Sequence, residues 1–429
     1  MNSEAARPGW KHGRRLKLIV ILMVALLSYY AARHTVDFPI YHAMARAMLA
    51  GNGPLYGPNS GVGWPLVYRY PPLFLLLFVP FALLPLKLGA VIWTALKFVA
   101  LYYLARALLA RLQLSSPIGV QFLALIPAVP YLALEFHYGN AQFFIFAMVA
   151  AALLCMQKRP IQAALILALG ISLKVWPLFF LPYLMARRYR HVVALTLAFT
   201  VGLTLIPVGY WGWHGNAALL RQWATQEYGI AATGGEADIP GFPSQSLRSV
   251  MMRYLVSLDY SKLYDPNYPK FNLTAVNPHT VELLWAILAA SAYAALLLFA
   301  WRGRESEELT LHGLAFCGLV LLQPFTKNTD LVVLLWPITV GVAALHGDKM
   351  LQRWARGALY IAMSLMVLKP FLPTSAMHRI LQVLGADFWE TCLLGAGLIG
   401  RCVKRCGEGR SPKGTSGSSF RAGTIPGVN

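Results

Sequence analysis

The sequence is poor in charge, and poorest in acidic residues. Only 13% of its 429 residues are charged, and Asp and Glu account for 17 of them against 37 Lys and Arg. Soluble domains carry about 25% charged residues. A chain that is 57% hydrophobic, with a mean hydropathy of +0.54, cannot cover itself with polar surface. The composition therefore excludes a soluble protein and predicts a polytopic membrane protein.

Cysteines are also few. Three of the five lie inside apolar runs, and Cys402 and Cys406 lack the paired spacing of a zinc site. The carboxylates are too scattered along the chain to predict a magnesium site. We therefore expect no disulfide framework, no metal and no other cofactor.

The net charge of +20 has two readings, nucleic-acid binding or the positive-inside rule. The basic clusters lie between apolar runs, which favours cytoplasmic loops and no nucleic-acid partner. The first 17 residues carry five basic residues and one acidic residue, whereas residues 214–279 carry five of each. This asymmetry predicts a plasma-membrane protein with both termini in the cytoplasm and with residues 34–70 and 214–279 outside. No small-residue cleavage site follows the first apolar run, so we expect an uncleaved span.

Apolar runs of about 20 residues predict membrane spans. Residues 71–86 are short and proline-rich, and residues 161–186 are broken by Lys174 and Pro177, so the latter form two short crossings or one re-entrant hairpin. The total is 10–13 transmembrane helices in one domain, residues 1–400, followed by a basic, Gly/Ser-rich, disordered tail, residues 401–429. The clear runs are 16–33, 88–109, 117–134, 140–156, 191–213, 280–301, 309–326, 330–346, 354–372 and 380–400.

Polar residues gather on the predicted outer side. Asp37 stands where the first span ends, and it is either a helix cap before Pro39 or a general base. Lys174 and the arginines either reach for lipid headgroups or neutralise a phosphate, and Gln142 either bonds a neighbouring helix or binds substrate. His34 and His42 fit an interfacial position as well as a site. The set comprises His34, Asp37, His42, Arg46, Tyr68, Arg69, Tyr70, Glu135, His137, Asn140, Gln142, Lys174, Gln245, Ser246, Arg248, Arg253, Lys327, Asn328 and Asp330.

Five segments in order resemble the polyprenyl-phosphate-mannose-dependent α-mannosyltransferases, which are membrane glycosyltransferases of the C-type (GT-C) fold. The resemblance covers roughly residues 16–345. Two departures stand out: Asn140 and Gln142 have exchanged order, and Ser244 replaces a usual Asn. The segments are "VDFPIYHAMARAMLAGNGPLYG", "YRYPPLFLLLFVPFALLP", "YGNAQFFIFAMVAAALL", "ALILALGISLKVWPLFFLPYLMARRYR" and "SQSLRSVMMRYL".

The resemblance implies an all-α GT-C-like fold and inverting transfer of a sugar from a polyprenyl-monophosphate donor on the outer face, with Asp37 as the general base. It implies a glycan, glycolipid or protein acceptor, in contact with membrane lipids. We expect a short outer helix in residues 34–70 to hold Asp37 in the interface. We expect the donor to meet Arg69, Lys174, Arg248, Arg253 and Lys327, and substrate to meet His42, Tyr70, Glu135, His137, Asn140, Gln142, Gln245 and Ser246.

Other functions remain open from the sequence. A transporter or flippase of lipid-linked sugars would use the broken segment 161–186 as its path, although no internal repeat supports it. A ligase with a lipid-diphosphate donor and a non-catalytic membrane subunit are further alternatives. Neither the sugar nor the acceptor follows from the sequence.

Overall fold

The computed structural model describes residues 9–60, 66–112, 125–233, 244–258, 267–348 and 351–408. Within these residues the chain forms 17 α-helices, joined by short 3₁₀ turns, and no strand. The predicted all-α fold of a membrane protein is therefore confirmed.

The first four helices build the part of the molecule around Asp37. The short helix of the proline-rich run has 11 residues, so it is only about 16 Å long and covers half of a bilayer core. The 26-residue helix that follows it is long enough to cross. The helices are α1 (Gly9–Ala32), α2 (Asp37–Ala50), α3 (Pro72–Ala82) and α4 (Leu86–Arg111).

The next five helices contain the broken segment. Lys174 adopts an extended conformation and ends a 14-residue helix, after which a 3₁₀ turn and a 7-residue helix follow. Residues 161–186 thus form two short helical pieces, as the sequence predicts. The helices are α5 (Val129–Tyr138), α6 (Gln142–Cys155), α7 (Pro160–Leu173), α8 (Phe180–Ala186) and α9 (Arg190–Leu205).

One predicted span, 191–213, is wrong at its end. Helix α9 stops at Leu205, and the next helix leaves it at 98°. Pro207 has no backbone N–H to continue the ladder, and Gly212, with φ 69° and ψ 173°, kinks the following helix. The predicted outer loop 214–279 accordingly begins as a helix. The remaining helices are α10 (Val208–Thr233), α11 (Leu247–Leu255), α12 (Pro278–Arg302), α13 (Glu308–Leu322), α14 (Leu335–Gly347), α15 (Arg353–Leu368), α16 (Ser375–Val383) and α17 (Ala386–Glu408).

Fewer helices span by length alone than the 10–13 predicted. In the described residues three are long and apolar enough, or up to five if each of two bent pairs counts as one span. The difference arises because several apolar runs fold as helices of 10–17 residues. Residues 117–124 of the run 117–134 lie outside the described part, as do residues 409–429 of the predicted tail. Residues 401–408 of that tail continue α17 and are helical.

Two apolar cores organise these helices. The larger one joins α5–α8, α13–α15 and α17 around Phe316 and Trp336. The smaller one, called here the aromatic core, joins α2, α3 and α4 through Phe38, Tyr41 and Phe78. Half of the residues of α2 are buried against this core, and the predicted short helix in residues 34–70 is therefore present and packed on the protein along one side.

Candidate active site

A four-residue turn between α5 and α6, the Gly139–Gln142 turn, lies against the start of α2. Gly139 has a φ of +69°, and a Cβ there would lie 2.9 Å from Thr35 Cγ2 and 3.0 Å from Phe38 Cβ. Only glycine fits both the left-handed backbone and this close approach. The backbone N–H of Val36 also donates to the carbonyl of Tyr138 at 3.0 Å. The turn therefore holds the first residue of α2, Asp37, in a fixed place.

Asn140 links Asp37 to two tyrosines. Its Nδ2 donates to Asp37 Oδ2 at 2.8 Å, while its Oδ1 accepts from the Tyr70 hydroxyl at 3.1 Å and from the backbone N–H of Gln142 at 2.9 Å. The Tyr41 hydroxyl donates in turn to Tyr70 at 3.1 Å. Burial raises the pKa of Tyr70 above its ordinary value, so its hydroxyl keeps the proton that it donates. These contacts fix which side of the Asn140 amide faces the carboxylate.

Lys174 is bound to the other end of the same turn. Its Nζ donates to Gln142 Oε1 at 2.8 Å, and Trp176 Nε1 donates to the same oxygen at 3.2 Å. The Nζ lies 5.8 Å from the centre of the Tyr70 ring. Since Asn140 holds Asp37 and Gln142 holds Lys174, one turn carries both a carboxylate and an ammonium group.

Asp330 completes this group. Its Oδ1 lies 3.5 Å from Lys174 Nζ, and the lysine side chain is 34% exposed. Its Oδ2 accepts the backbone N–H of Lys327 at 2.9 Å, which fixes the 3₁₀ turn Asn328–Leu334. At 3.5 Å and partly exposed, the Lys174–Asp330 pair is a loose one, and Lys174 is accessible to an anion.

An apolar groove begins beside the turn. Ala141 and Leu173, which lie next in sequence to Asn140 and Lys174, form part of its wall. Phe74, which stacks on Tyr70 with ring centres 4.4 Å apart, forms another part. The groove is lined by Phe74, Leu77, Phe78, Phe81, Trp93, Leu96, Ala141, Phe144, Ile145, Met148 and Leu173.

Glu135 lies beneath the turn and not in an accessible position. Its side chain and that of Lys97 are both 0% exposed, and they form an ion pair at 2.8 Å. In this conformation no substrate reaches Glu135. Lys97 is absent from the set predicted from the sequence, although an ionisable residue inside an apolar span usually has a functional role.

Two of the predicted donor-binding arginines are occupied by other parts of the protein. Arg248 forms a bidentate pair with Glu282, with contacts of 2.6–2.9 Å, and donates to two carbonyls at the end of α10. Arg253 is 1% exposed and donates to the carbonyls of Val383 and Ser244. Both side chains thus join α11 to neighbouring parts of the protein, Arg248 to α10 and α12 and Arg253 to the end of α16.

The residues just before α11, 244–246, bond to the segment that leads into Lys327 and Asp330. Ser244 Oγ accepts the backbone N–H of Thr326 at 2.8 Å, and Gln245 donates its own N–H to the Thr326 carbonyl at 3.0 Å. Ser246 donates to the carbonyl of Pro324 at 3.2 Å. These contacts hold the residues just before Lys327. Gln245 and Ser246 are fully buried, so the structure places them behind the site.

The other predicted residues are dispersed around this centre. Arg69 pairs with Glu227 of α10 at 2.9 Å. His42 is buried with its Nε2 3.0 Å from the carbonyl of Leu84, and the His137 ring lies 6.3 Å from that of His34. The structure thus brings together Asp37, Tyr70, Asn140, Gln142 and Lys174, with Lys327 beside them.

No group of three or more His, Cys, Asp or Glu side chains suited to a metal ion occurs among the residues that the structure describes. The site has instead a carboxylate, an ammonium group and neutral hydrogen-bonding groups on a rigid turn. This arrangement can accept a proton at Asp37 and neutralise an anion at Lys174.

Comparison with known proteins gives one family. The model of glycosyltransferase family 87 matches residues 68–324, which include the Gly139–Gln142 turn and Lys174 but not Asp37 or Asp330.

Three curated relatives are called polyprenol-phosphate-mannose-dependent α-(1-2)-mannosyltransferases. The chain is 30% identical over 267 residues to a phosphatidylinositol mannoside mannosyltransferase of Mycobacterium tuberculosis, covering 56% of this chain and 62% of the relative. It is 31% identical over 216 residues to that of Mycolicibacterium smegmatis, covering 46% and 48%. A phosphatidylinositol pentamannoside mannosyltransferase of M. tuberculosis is 28% identical over 217 residues, covering 47% and 50%. The chain thus spans about half to three fifths of the length of these relatives.

Proposed function

Because this chain belongs to glycosyltransferase family 87, we propose that it transfers mannose from a polyprenyl-monophosphate donor to a hydroxyl of a glycolipid. The observation that carries the proposal is the pairing of Asp37 and Lys174 on one turn beside an apolar groove. The names of the relatives support the same donor and a phosphatidylinositol mannoside as the class of acceptor.

In the proposed reaction Asp37 acts as the general base. The acceptor hydroxyl gives its proton to Asp37 Oδ1 while its oxygen forms a bond to the anomeric carbon of the donor. The bond from that carbon to the phosphate oxygen breaks, and polyprenyl phosphate leaves with the electron pair. Attack from the face opposite the phosphate inverts the anomeric configuration. Asn140 orients the carboxylate through its other oxygen.

Lys174 neutralises the charge that develops on the leaving phosphate. It is held by Gln142 and Asp330 but is 34% exposed, so it can exchange part of its contact with Asp330 for a phosphate oxygen. An ammonium group supplies this stabilisation without a metal ion, so we propose a metal-independent transfer. Lys327, whose backbone N–H donates to Asp330, is the second cation that we propose for the phosphate.

The depth of the site suits a donor that is confined to the membrane. Helix α7 has 14 residues, or about 21 Å at 1.5 Å per residue, against a hydrocarbon core of about 30 Å. If it starts at the cytoplasmic face, as the basic residues before it predict, Lys174 lies in the outer leaflet, about 9 Å short of the outer edge of that core. The apolar groove beside Leu173 would then accept the first isoprene units of the lipid chain. We therefore place the reaction on the outer face of the membrane.

A donor comparison tests this function. Purified protein in lipid nanodiscs would be given polyprenyl-phosphate-mannose or the corresponding diphosphate, each with phosphatidylinositol mannoside, and the products identified by mass spectrometry. We expect a mannosylated acceptor from the monophosphate alone, with or without EDTA. Transfer from the diphosphate alone would show a different glycosyltransferase. Movement of the labelled donor across vesicles without any glycosidic product would show a flippase.

A further inference from the structure

We propose that Lys97 and Glu135 are positioning residues that hold the Gly139–Gln142 turn in its reactive geometry. The inference rests on the proposed function, because the turn matters through the groups it carries, Asp37 and Lys174. Neither positioning residue touches the groove or the exposed side of the turn.

The carboxylate of Glu135 bridges the base of the turn. Its Oε2 accepts from Lys97 Nζ at 2.8 Å, and its Oε1 accepts the backbone N–H of Phe143 at 2.9 Å. Glu135 precedes the turn on α5, whereas Phe143 follows it on α6. One carboxylate therefore closes the turn from both sides and satisfies an N–H of the first turn of α6, which has no partner within that helix.

Helix α4 fixes this bridge at a second point. Lys97 Nζ also lies 3.2 Å from the backbone carbonyl of Glu135. One helical turn earlier, Trp93 Nε1 donates to the carbonyl of Gly139 at 3.0 Å. Trp93 and Lys97 are four residues apart, so they lie on the same face of α4. One face of α4 thus bonds to two backbone carbonyls, that of Glu135 before the turn and that of Gly139 at its first residue.

Burying the charged Lys97–Glu135 pair between α4 and α5 costs free energy that apolar packing would not. An ionisable group inside a span is expensive, and two apolar side chains could join α4 and α5 at lower cost. Two apolar side chains could not, however, accept the N–H of Phe143 or donate to the backbone carbonyl of residue 135. Directional bonds around a turn that carries the reacting groups point to positioning as the role of the pair.

A double-mutant cycle on the full chain in nanodiscs tests this role. The variants are Lys97→Met, Asn140→Ala and both together, with mannose transfer measured per folded protein. If Lys97 acts through the turn, each single change lowers kcat/KM by about tenfold or more, and the double variant stays within about twofold of the worse single one. A merely structural lysine would give losses that multiply, which overturns the proposal. Glu308→Gln, a buried carboxylate bound by Tyr189 and Gln157, is the control and stays within about twofold of wild type.

Two further measurements keep the test decisive. If Lys97→Met does not fold, Glu135→Gln replaces it in the cycle, because it keeps an oxygen that can accept the Phe143 N–H and removes the charge that pairs with Lys97. Hydrogen exchange of the same variants needs no substrate. We expect exchange to accelerate more in residues 139–146 than in the core helix α14; equal acceleration in both, or none in the turn, overturns the proposal. A wild-type protein without any transfer would instead count against the proposed function, while the exchange result would still decide the role of Lys97.

Discussion

Two lysine–carboxylate pairs in this protein have the same chemistry but opposite surroundings. Lys97 and Glu135 are 2.8 Å apart, with both side chains 0% exposed. Lys174 and Asp330 are 3.5 Å apart, with side chains 34% and 13% exposed. The first pair is fully buried and bonds to the backbone around the turn. The second pair is partly exposed, so its lysine can bind another anion. If Lys174 binds the donor phosphate as proposed, burial and spacing, and not residue type, separate a structural pair from a working one.

The largest expected effect concerns the stability of the closed pair. Replacing Lys97 with Met leaves Glu135 charged and buried without its partner, which costs about 3–5 kcal/mol of unfolding free energy. The open pair should tolerate the matched change Lys174→Met within about 1 kcal/mol, because exposed ion pairs contribute little. Unfolding titrations of both variants in the same detergent would measure the difference. Equal losses would remove the distinction between the pairs.

For catalytic activity we expect the reverse of the order for stability, with the larger loss at Lys174. Lys174→Met removes the ammonium group that neutralises the leaving phosphate, and we expect kcat/KM for the monophosphate donor to fall about 10²-fold. Initial-rate measurements in nanodiscs would give this value. Lys174→Arg, which keeps the charge, should recover part of the loss. An uncharged variant as active as wild type would show that the phosphate binds elsewhere.

Asp330 should have a smaller effect than its partner. Asp330→Asn still accepts the backbone N–H of Lys327, but it removes the negative charge beside Lys174. We expect kcat/KM to fall less than about tenfold, because Gln142 continues to hold the lysine. A loss as large as that of Lys174→Met would indicate that Asp330 itself takes part in the reaction.

The smallest effect should come from the groove. Leu77→Ala removes part of an apolar wall, and the lost contact, at about 25 cal/mol per Å² of buried surface, corresponds to a change in donor KM of a few-fold. The effect should shrink for a donor with a shortened lipid chain. The ratio of KM values for long and short donors therefore measures whether the chain lies in this groove. An unchanged ratio would place the lipid on another face.

The sequence could predict the centre of the site because its residues follow short, ordered motifs. Asp37, Asn140 and Gln142 lie near the predicted outer face and Lys174 lies in the broken segment 161–186, and the structure brings them together. Gln245, Arg248 and Arg253 lie in the predicted outer loop 214–279. They bond to Gln382, Glu282 and Val383, which are 137, 34 and 130 residues further along the chain, and no local pattern reveals such contacts.

Other features could not be predicted for a different reason. The bend after Leu205 changes an expected loop into α10, and hydropathy does not distinguish a span from a helix that leaves it at a steep angle. Lys97 was visible as a charge within an apolar run, but its meaning depends on Glu135, 38 residues later. Its role follows only from three-dimensional packing.

The most direct test of the account is single-turnover transfer by wild type and Asp37→Asn at saturating polyprenyl-phosphate-mannose. Asparagine keeps the size of the side chain and removes its ability to accept the proton. The account predicts that the variant folds and binds donor as wild type does, while its transfer rate falls about 10³-fold, within the usual range for loss of a general base. A transfer rate within a few-fold of wild type would contradict it and would place the base at another residue.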